Sequence, residues 1–105
     1  MSQEEFQEKI KKINDDTMYD SFFYRMVSHP CFIELLNEKE NILPFIFEDI
    51  KIYPSWTHLN LLWSIVENPP DNTKTQYFKT NVENWLKWWN IKQREKKMKR
   101  IIKGN

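Results

Sequence analysis

Ser55–Glu67, with the sequence SWTHLNLLWSIVE, is the stretch that decides the fold of this chain. At about 100° per residue of an α-helix, apolar side chains cover most of its circumference. Five lie on one broad face and two nearly opposite: Trp56, Leu59, Leu62, Trp63 and Val66, then Leu61 and Ile65. Only Thr57, Asn60 and Ser64 form a narrow polar strip. A helix that is apolar nearly all round is normally buried, so we expect this one to be the central helix of a small domain.

Both ends of this helix are marked in the sequence. Ser55 is a residue type that favours the N-cap position. At the other end, Asn68 precedes Pro69 and Pro70. A residue before proline is pushed out of the α region, and proline has no N–H to donate. The sequence therefore predicts a helix that begins after Ser55 and stops before the two prolines.

The composition is that of a small folded protein. Its 105 residues, 40% of them hydrophobic, suffice for a single core and exclude a disordered tail. One glycine argues against a glycine-rich phosphate loop, and one cysteine excludes an internal disulfide. The net charge of +1 requires a local patch for any acidic partner. Without a signal peptide or a membrane-spanning run, we expect a cytoplasmic protein that does not contact a membrane.

Helical spacing recurs on both sides of the central helix. We predict helices over residues 3–13, 30–38, 41–50 and 75–103, the first opened by a capping box of Ser2 and Glu5. Residues 17–28 fit neither a helical nor a strand period, so both conformations stay open there. The expected fold is all-α: a single small domain of four to six helices around a central buried tryptophan helix, with a long C-terminal helix.

The long C-terminal helix changes its apolar face partway along. In its first half the apolar side chains share an arc of about 100° and should dock on the core; they are Phe78, Val82, Trp85, Leu86 and Trp89. Ile91, Met98 and Ile102 then emerge on the far side. Either these side chains meet a partner, or the helix breaks near Asn90. We accordingly divide the chain into a helical domain, 1–90, and a basic helical extension, 91–105.

Four strings along the chain resemble one family. They are MVSHPCFIELL, ILPFIFEDI, YPSWTHLNLLWSIVENPP and ENWLKWWN. These strings, and the order in which they occur, resemble those of a family of small uncharacterised bacterial proteins. The chain departs from that family where Phe22-Phe23-Tyr24 replaces a Ser/Thr segment and where LNEKEN replaces a glycine. Over roughly residues 20–90 the resemblance implies a shared helical fold, and it transfers no catalytic residue.

Arg25 and His29 are the candidate residues for a small ligand. Arg25 lies among aromatic residues, where a guanidinium can clamp a phosphate or carboxylate, although an ordinary surface arginine is the explanation that we favour. His29, before Pro30, is explained better as a helix N-cap than as a ligand-binding group. His29, Cys31 and His58 do not have the spacing of a zinc site, so we expect no metal.

Trp88 is the third candidate ligand residue and also opens the candidate partner surface. It stands at the edge of the core face and precedes a run of lysines and arginines, a pattern typical of nucleic-acid or nucleotide contact and also of a solvated basic helix. The predicted partner-binding residues are the apolar Trp88, Ile91, Met98 and Ile102 with the basic Lys92, Arg94 and Lys99.

The sequence contains no supported nucleophile–base–orienter set, so we expect no catalytic residue and no cofactor. We interpret the chain as a non-catalytic helical binding protein. The first hypothesis is a protein-interaction module, such as an inhibitor, an antitoxin-like protein or an adaptor, bound to a protein partner or to itself. The second is a small-ligand binder that sequesters a nucleotide or a similar anionic aromatic molecule. The third is a nucleic-acid binder that uses the basic C-terminal helix.

Overall fold

The structure is a computed structural model that describes the backbone of residues 1–17 and 23–103 and the side chains of residues 1–17 and 25–98. In these residues the regular secondary structure is helical throughout, which confirms the predicted all-α fold. The α-helices are α1 (Gln3–Thr17), α2 (Phe23–Val27), α3 (Pro30–Asn37), α4 (Leu43–Ile50), α5 (Trp56–Ile65) and α6 (Phe78–Lys103). Two 3₁₀ helices, Lys39–Ile42 and Asp71–Thr73, precede α4 and α6.

The helices belong to two compact units, Met1–Pro69 and Pro70–Asn105. The first unit contains α1 to α5, and the second contains α6 with the loop before it. The domain division that we expected from the sequence, 1–90 and 91–105, stays a prediction. None of the helices in the described part of the chain combines the length and the apolar character that a bilayer crossing requires.

Helix α5 lies at the centre of the first unit, as its sequence predicted. It contacts α1, α3 and α4, and residues 57–62 are all buried. The fully buried apolar side chains around it come from three helices, α1, α3 and α4, and from the first 3₁₀ turn: Phe6, Ile13, Phe32, Leu35, Ile42, Ile46, Phe47 and Ile50. Leu59, Leu61 and Leu62 complete this core from α5 itself.

The tryptophans of α5 are not the buried residues that we expected. Trp56 is 43% exposed and Trp63 is half-buried, and their ring centroids are 6.3 Å apart. The physical reason is length: α5 has only ten residues, and its neighbours cover the middle of the helix while Trp56 begins it. The apolar part of the buried centre of α5 is therefore formed by leucines.

The polar strip of α5 is buried over most of its length, with hydrogen-bond partners that make burial tolerable. Thr57 Oγ1 donates to Asn14 Oδ1 on α1 at 2.5 Å. Asn60 Nδ2 donates to the Trp56 carbonyl at 2.8 Å. Only Ser64 of the strip is exposed. Through Thr57 the strip thus joins α5 to α1 instead of marking a solvent side.

Several helix ends differ by a few residues from the predicted ones. Helix α1 continues to Thr17, whose hydroxyl donates to the Ile13 carbonyl at 2.7 Å. At its start, Ser2 Oγ accepts from the Glu5 N–H at 3.1 Å, which confirms the serine cap. Helix α5 stops at Ile65, and Asn68 beyond it adopts φ 54° in the left-handed region. Of the segment left open, residues 23–27 are helical; residues 18–22 lie outside the described residues.

In the second unit, a buried asparagine fixes where α6 begins. Asn81 Oδ1 accepts from the Thr75 N–H at 2.8 Å and from the Thr75 hydroxyl at 2.7 Å. Asn81 Nδ2 donates to the Thr75 carbonyl at 2.8 Å. Because these bonds hold Thr75 in the loop, the helix starts at Phe78 and not at residue 75.

Helix α6 then runs without a break to Lys103, so the alternative of a helix that ends near Asn90 is wrong. Val82 and Trp85 are buried, as the first-half periodicity predicted. Ile91 is 53% exposed and Met98 is 63% exposed. The helix angle alone therefore placed these two side chains correctly, on a surface away from the buried face.

Candidate functional site

A buried aspartate–histidine pair joins the end of α4 to the start of α5. His58 Nε2 lies 2.5 Å from Asp49 Oδ2. Asp49 is 3% exposed and His58 is fully buried. The turn after α4 folds the chain back, and the Ile52 and Tyr53 N–H groups both donate to the Asp49 carbonyl at 3.0 and 2.8 Å. This turn brings together two polar residues that are nine positions apart.

The pair extends at both ends into a network of four residues, which we call the buried polar network. Ser55 Oγ lies 2.7 Å from His58 Nδ1, and Gln7 Nε2 donates to Asp49 Oδ1 at 3.0 Å. A neutral imidazole has one N–H, and a carboxylate only accepts. Nε2 therefore carries a proton and donates it to Asp49 Oδ2.

Asp49 is held in its charged form. Burial raises the pKa of Asp49, but the hydrogen bond and the charge of His58, with the Gln7 hydrogen bond, outweigh burial. The net result is a pKa below the ordinary aspartate value. A carboxylate with two donors in a protein interior is stabilised as the anion for this reason.

The network has the distances that a serine nucleophile, its base and an orienting carboxylate require. Its position on the helix gives a second explanation. Ser55 is the N-cap residue of α5, and its hydroxyl bonds to the His58 side chain three residues later instead of to a backbone N–H of the helix. The His58 and Phe6 ring centroids are 6.0 Å apart in the core. Burial of the histidine and its packing at the start of α5 favour a structural role.

The lowered pKa of Asp49 predicts a loss of stability in acid. A lowered folded-state pKa means that the stabilisation is complete above the unfolded value, about 3.9, and is lost as pH falls through the folded value. At pH values below about 4, we expect the urea concentration at the midpoint of unfolding to decrease. Asp49→Asn should show a flatter pH dependence over the same window.

A second carboxylate also has a lowered pKa and also predicts a loss of stability in acid, so the Asp49 prediction needs a control. The hydrogen bond and charge of Lys9 lower the pKa of Glu34. Glu34 is exposed, so added salt screens its contribution, whereas the buried Asp49 is screened much less. The acid loss assigned to Asp49 should therefore persist in high salt and in Glu34→Gln; its disappearance in either would contradict the assignment.

A cavity opens on the first unit where it reaches this network. Its volume is about 390 Å³. It is lined by Gln7, Ile10, Lys11, Asn14, Asp15, Asp49 and Tyr53. The cavity therefore reaches the Asp49 end of the network and combines apolar side chains with carboxylates.

The structure assigns His29 to the N-cap position, as the sequence predicted. His29 Nδ1 accepts from the Cys31 N–H at 3.1 Å at the start of α3. His29 Nε2 lies 2.7 Å from Asp16 Oδ2. Both ring nitrogens are therefore used inside the protein, and a carboxylate adjoins the ring.

Arg25 is exposed on α2 in the first unit, and Trp88 belongs to the second unit. Their joint use with His29 as a ligand site stays a prediction. Cys31 is half-buried. Among the residues that the structure describes, no group of three or more histidine, cysteine, aspartate or glutamate side chains is placed to hold a metal ion.

The predicted partner-binding residues lie along α6. The half-buried Trp88 ring packs edge-on against Trp85, with centroids 5.3 Å apart. Lys92 Nζ is 5.9 Å from the Trp88 ring centroid and 3.6 Å from Glu95 Oε2. Arg94 is exposed with Ile91 and Met98. The side chains of Lys99 and Ile102 lie outside the described residues.

Sequence reasoning missed the buried polar network. It found no nucleophile–base–orienter set, and it considered His58 only as one of three residues that lack the spacing of a zinc site. The available signal was His58 itself, a titratable residue in a helix otherwise apolar on nearly every side and three residues after a serine cap. A buried histidine requires partners, and the nearby turn supplies one.

Comparison of the chain with protein-family models, with curated proteins and with solved structures finds no match. The resemblance to a family of small uncharacterised bacterial proteins therefore stays a prediction.

Proposed function

We propose that this chain is a non-catalytic protein-interaction module, such as an inhibitor, an antitoxin-like protein or an adaptor, that binds its partner through α6. One observation carries the proposal: on a continuous helix, Ile91 and Met98 are exposed while Val82 and Trp85 are buried. On a helix, positions seven residues apart differ by only about 20°. The two exposed side chains therefore form one line, which we call the α6 stripe. The sequence spacing predicts that Ile102 extends the stripe.

Basic side chains accompany the α6 stripe. Lys87 and Arg94 fall within about 60° of it on one side, and both are exposed. Trp88 and then Lys92 lie on the other side. Apolar anchors at the centre with charged residues at the rim are the usual arrangement of a protein interface.

The two alternative functions have less support. A nucleic-acid binder would use the exposed basic residues of α6, yet phosphate contact does not require exposed isoleucine and methionine in the same surface. A binder of small anionic molecules would use His29, whose ring nitrogens already bond to Cys31 and Asp16. The carboxylate of Asp16 also disfavours an anion at that position.

Replacing Ile91, Met98 and Ile102 together by serine tests the proposal. We expect the melting curve to stay nearly unchanged, because the described members of the α6 stripe are exposed, while self-association or partner binding is lost. Light scattering measures the association, and pull-down with the parent as bait measures partner binding. Thr80→Ser with Asn90→Ser, at exposed polar positions of the same helix, is the matched control.

Salt dependence separates the alternatives in the same experiment. Binding driven by phosphate contacts weakens steeply as salt rises, whereas an apolar interface is little affected. A folded triple variant that keeps all of the parent's association would rule out the α6 stripe as the interface. Loss of the fold in that variant would instead assign the stripe to the protein's own core.

A further inference from the structure

The formal charge of this chain is divided unevenly between its two units. Residues 1–69 contain six basic and twelve acidic side chains, which gives −6. Residues 70–105 contain ten basic and three acidic side chains, which gives +7. The overall charge of +1 therefore hides two strongly and oppositely charged units. Opposite potentials of this kind promote association when the two charged surfaces meet.

The positive charge of the second unit lies where a partner can reach it. Eight basic residues and one acidic residue occur between Lys87 and Lys103. Within the described side chains of this segment, five basic residues are exposed: Lys87, Lys92, Arg94, Lys96 and Lys97. Lys87 and Arg94 flank the exposed part of the α6 stripe, whereas Lys92, Lys96 and Lys97 lie about 100–140° from Ile91 around the helix. A matching partner must combine carboxylates with apolar surface.

The first unit has such a surface at its cavity of about 390 Å³. Asp15 is an exposed carboxylate of the lining, near the exposed Lys11. The charged Asp49 lies deeper, where it bonds to His58 and Gln7. Tyr53 lines the cavity and is 70% exposed, and Ile52 beside it is exposed as well. We call this cavity with Ile52 and Tyr53 the Tyr53 face. Its volume falls within the range of about 300–1,000 Å³ that binding cavities commonly have.

We propose that the partner of the α6 stripe is a second copy of this chain, bound at its Tyr53 face. This inference rests on the proposed function, and it adds the identity of the partner. Apolar side chains of the stripe meet Tyr53 and Ile52, while Lys87 and Arg94 meet Asp15. In the proposed dimer, the stripe of each chain meets the face of the other, which gives two equal contacts.

A pair of charge-reversal variants tests the inference. The stripe variant carries Lys87→Glu and Arg94→Glu, and the face variant carries Asp15→Arg. All three positions are exposed, and Asp49 is left intact because it holds His58. Sedimentation in low salt should show a dimer for the parent and, for each variant alone, a dimer weakened by about tenfold or more because like charges then face each other.

Mixing the two variants is the decisive step. In the mixed pair, an unchanged stripe meets an unchanged face, and an acidic stripe meets a basic face, so the dimer should return. Circular dichroism of each variant establishes that the fold is intact. Glu40→Arg, an exposed charge reversal away from the Tyr53 face lining, is the matched control and should leave the parent's dimer unchanged.

The outcomes separate this inference from the proposed function. A monomeric parent, variants that stay dimeric, or a mixture that stays monomeric would each overturn the second copy as partner. If the triple-serine variant still lost a different protein partner, the proposed function would stand without the dimer. If only the binding of a DNA duplex responded to Lys87→Glu and Arg94→Glu, both proposals would give way to nucleic-acid binding.

Discussion

Replacing Asp49 by alanine is expected to lower the free energy of unfolding by about 3–5 kcal/mol. The substitution removes the carboxylate 2.5 Å from His58 Nε2 and leaves a fully buried imidazole without that partner. It also removes the acceptor of the Gln7 side chain. Losses of this size take a large share of the stability of a small domain. Urea unfolding at neutral pH, followed by circular dichroism, measures the effect.

The neighbouring carboxylate provides a matched control. Glu48 is exposed on α4 and pairs only with the exposed Lys51, at 3.1 Å, among the ion pairs of the described residues. Glu48→Ala should change the unfolding free energy by no more than about 0.5 kcal/mol. Asp49→Asn keeps the shape of the side chain but removes its charge, so it should fall between the two. If Asp49→Ala and Glu48→Ala changed the free energy of unfolding equally, the buried polar network would not contribute to stability.

Replacing Phe6 by alanine is the other substitution with a large expected effect, about 3–5 kcal/mol. Phe6 is fully buried on α1, with its ring centroid 6.2 Å from that of Phe45 and 6.0 Å from that of His58. It thereby packs α1 against both α4 and α5. Alanine would remove most of the buried ring surface and leave a cavity where three helices meet.

Two further substitutions show whether buried volume causes the loss. Phe6→Leu keeps an apolar side chain of intermediate size and should cost less than alanine. Ile33→Ala, at an exposed position on α3, should cost well under 1 kcal/mol if exposure decides the effect. Thermal unfolding of the three variants gives the order. If Phe6→Ala had the same melting temperature as Ile33→Ala, Phe6 would not lie at the centre of the core.

Features that depend on neighbours along the chain were predictable from the sequence. The apolar circumference of Ser55–Glu67 identified the central helix, and the residue types at Ser2 and His29 identified two caps. The angle of 100° per residue placed Val82 on the buried side of α6 and Ile91 on the exposed side. Each of these features follows from the local geometry of the helix. That geometry repeats every three to four residues and does not depend on the rest of the chain.

The tertiary structure alone decided the features that depend on packing between helices. The contact of Asp49 with His58 exists because the turn after α4 folds α5 back against it, and no periodicity encodes that return. Trp56 is exposed because the neighbouring helices cover only the middle of a ten-residue helix. Thr57 is buried because Asn14 on α1 accepts its hydrogen bond. A sequence specifies which side chains need partners, but the positions of other helices determine which partners they find.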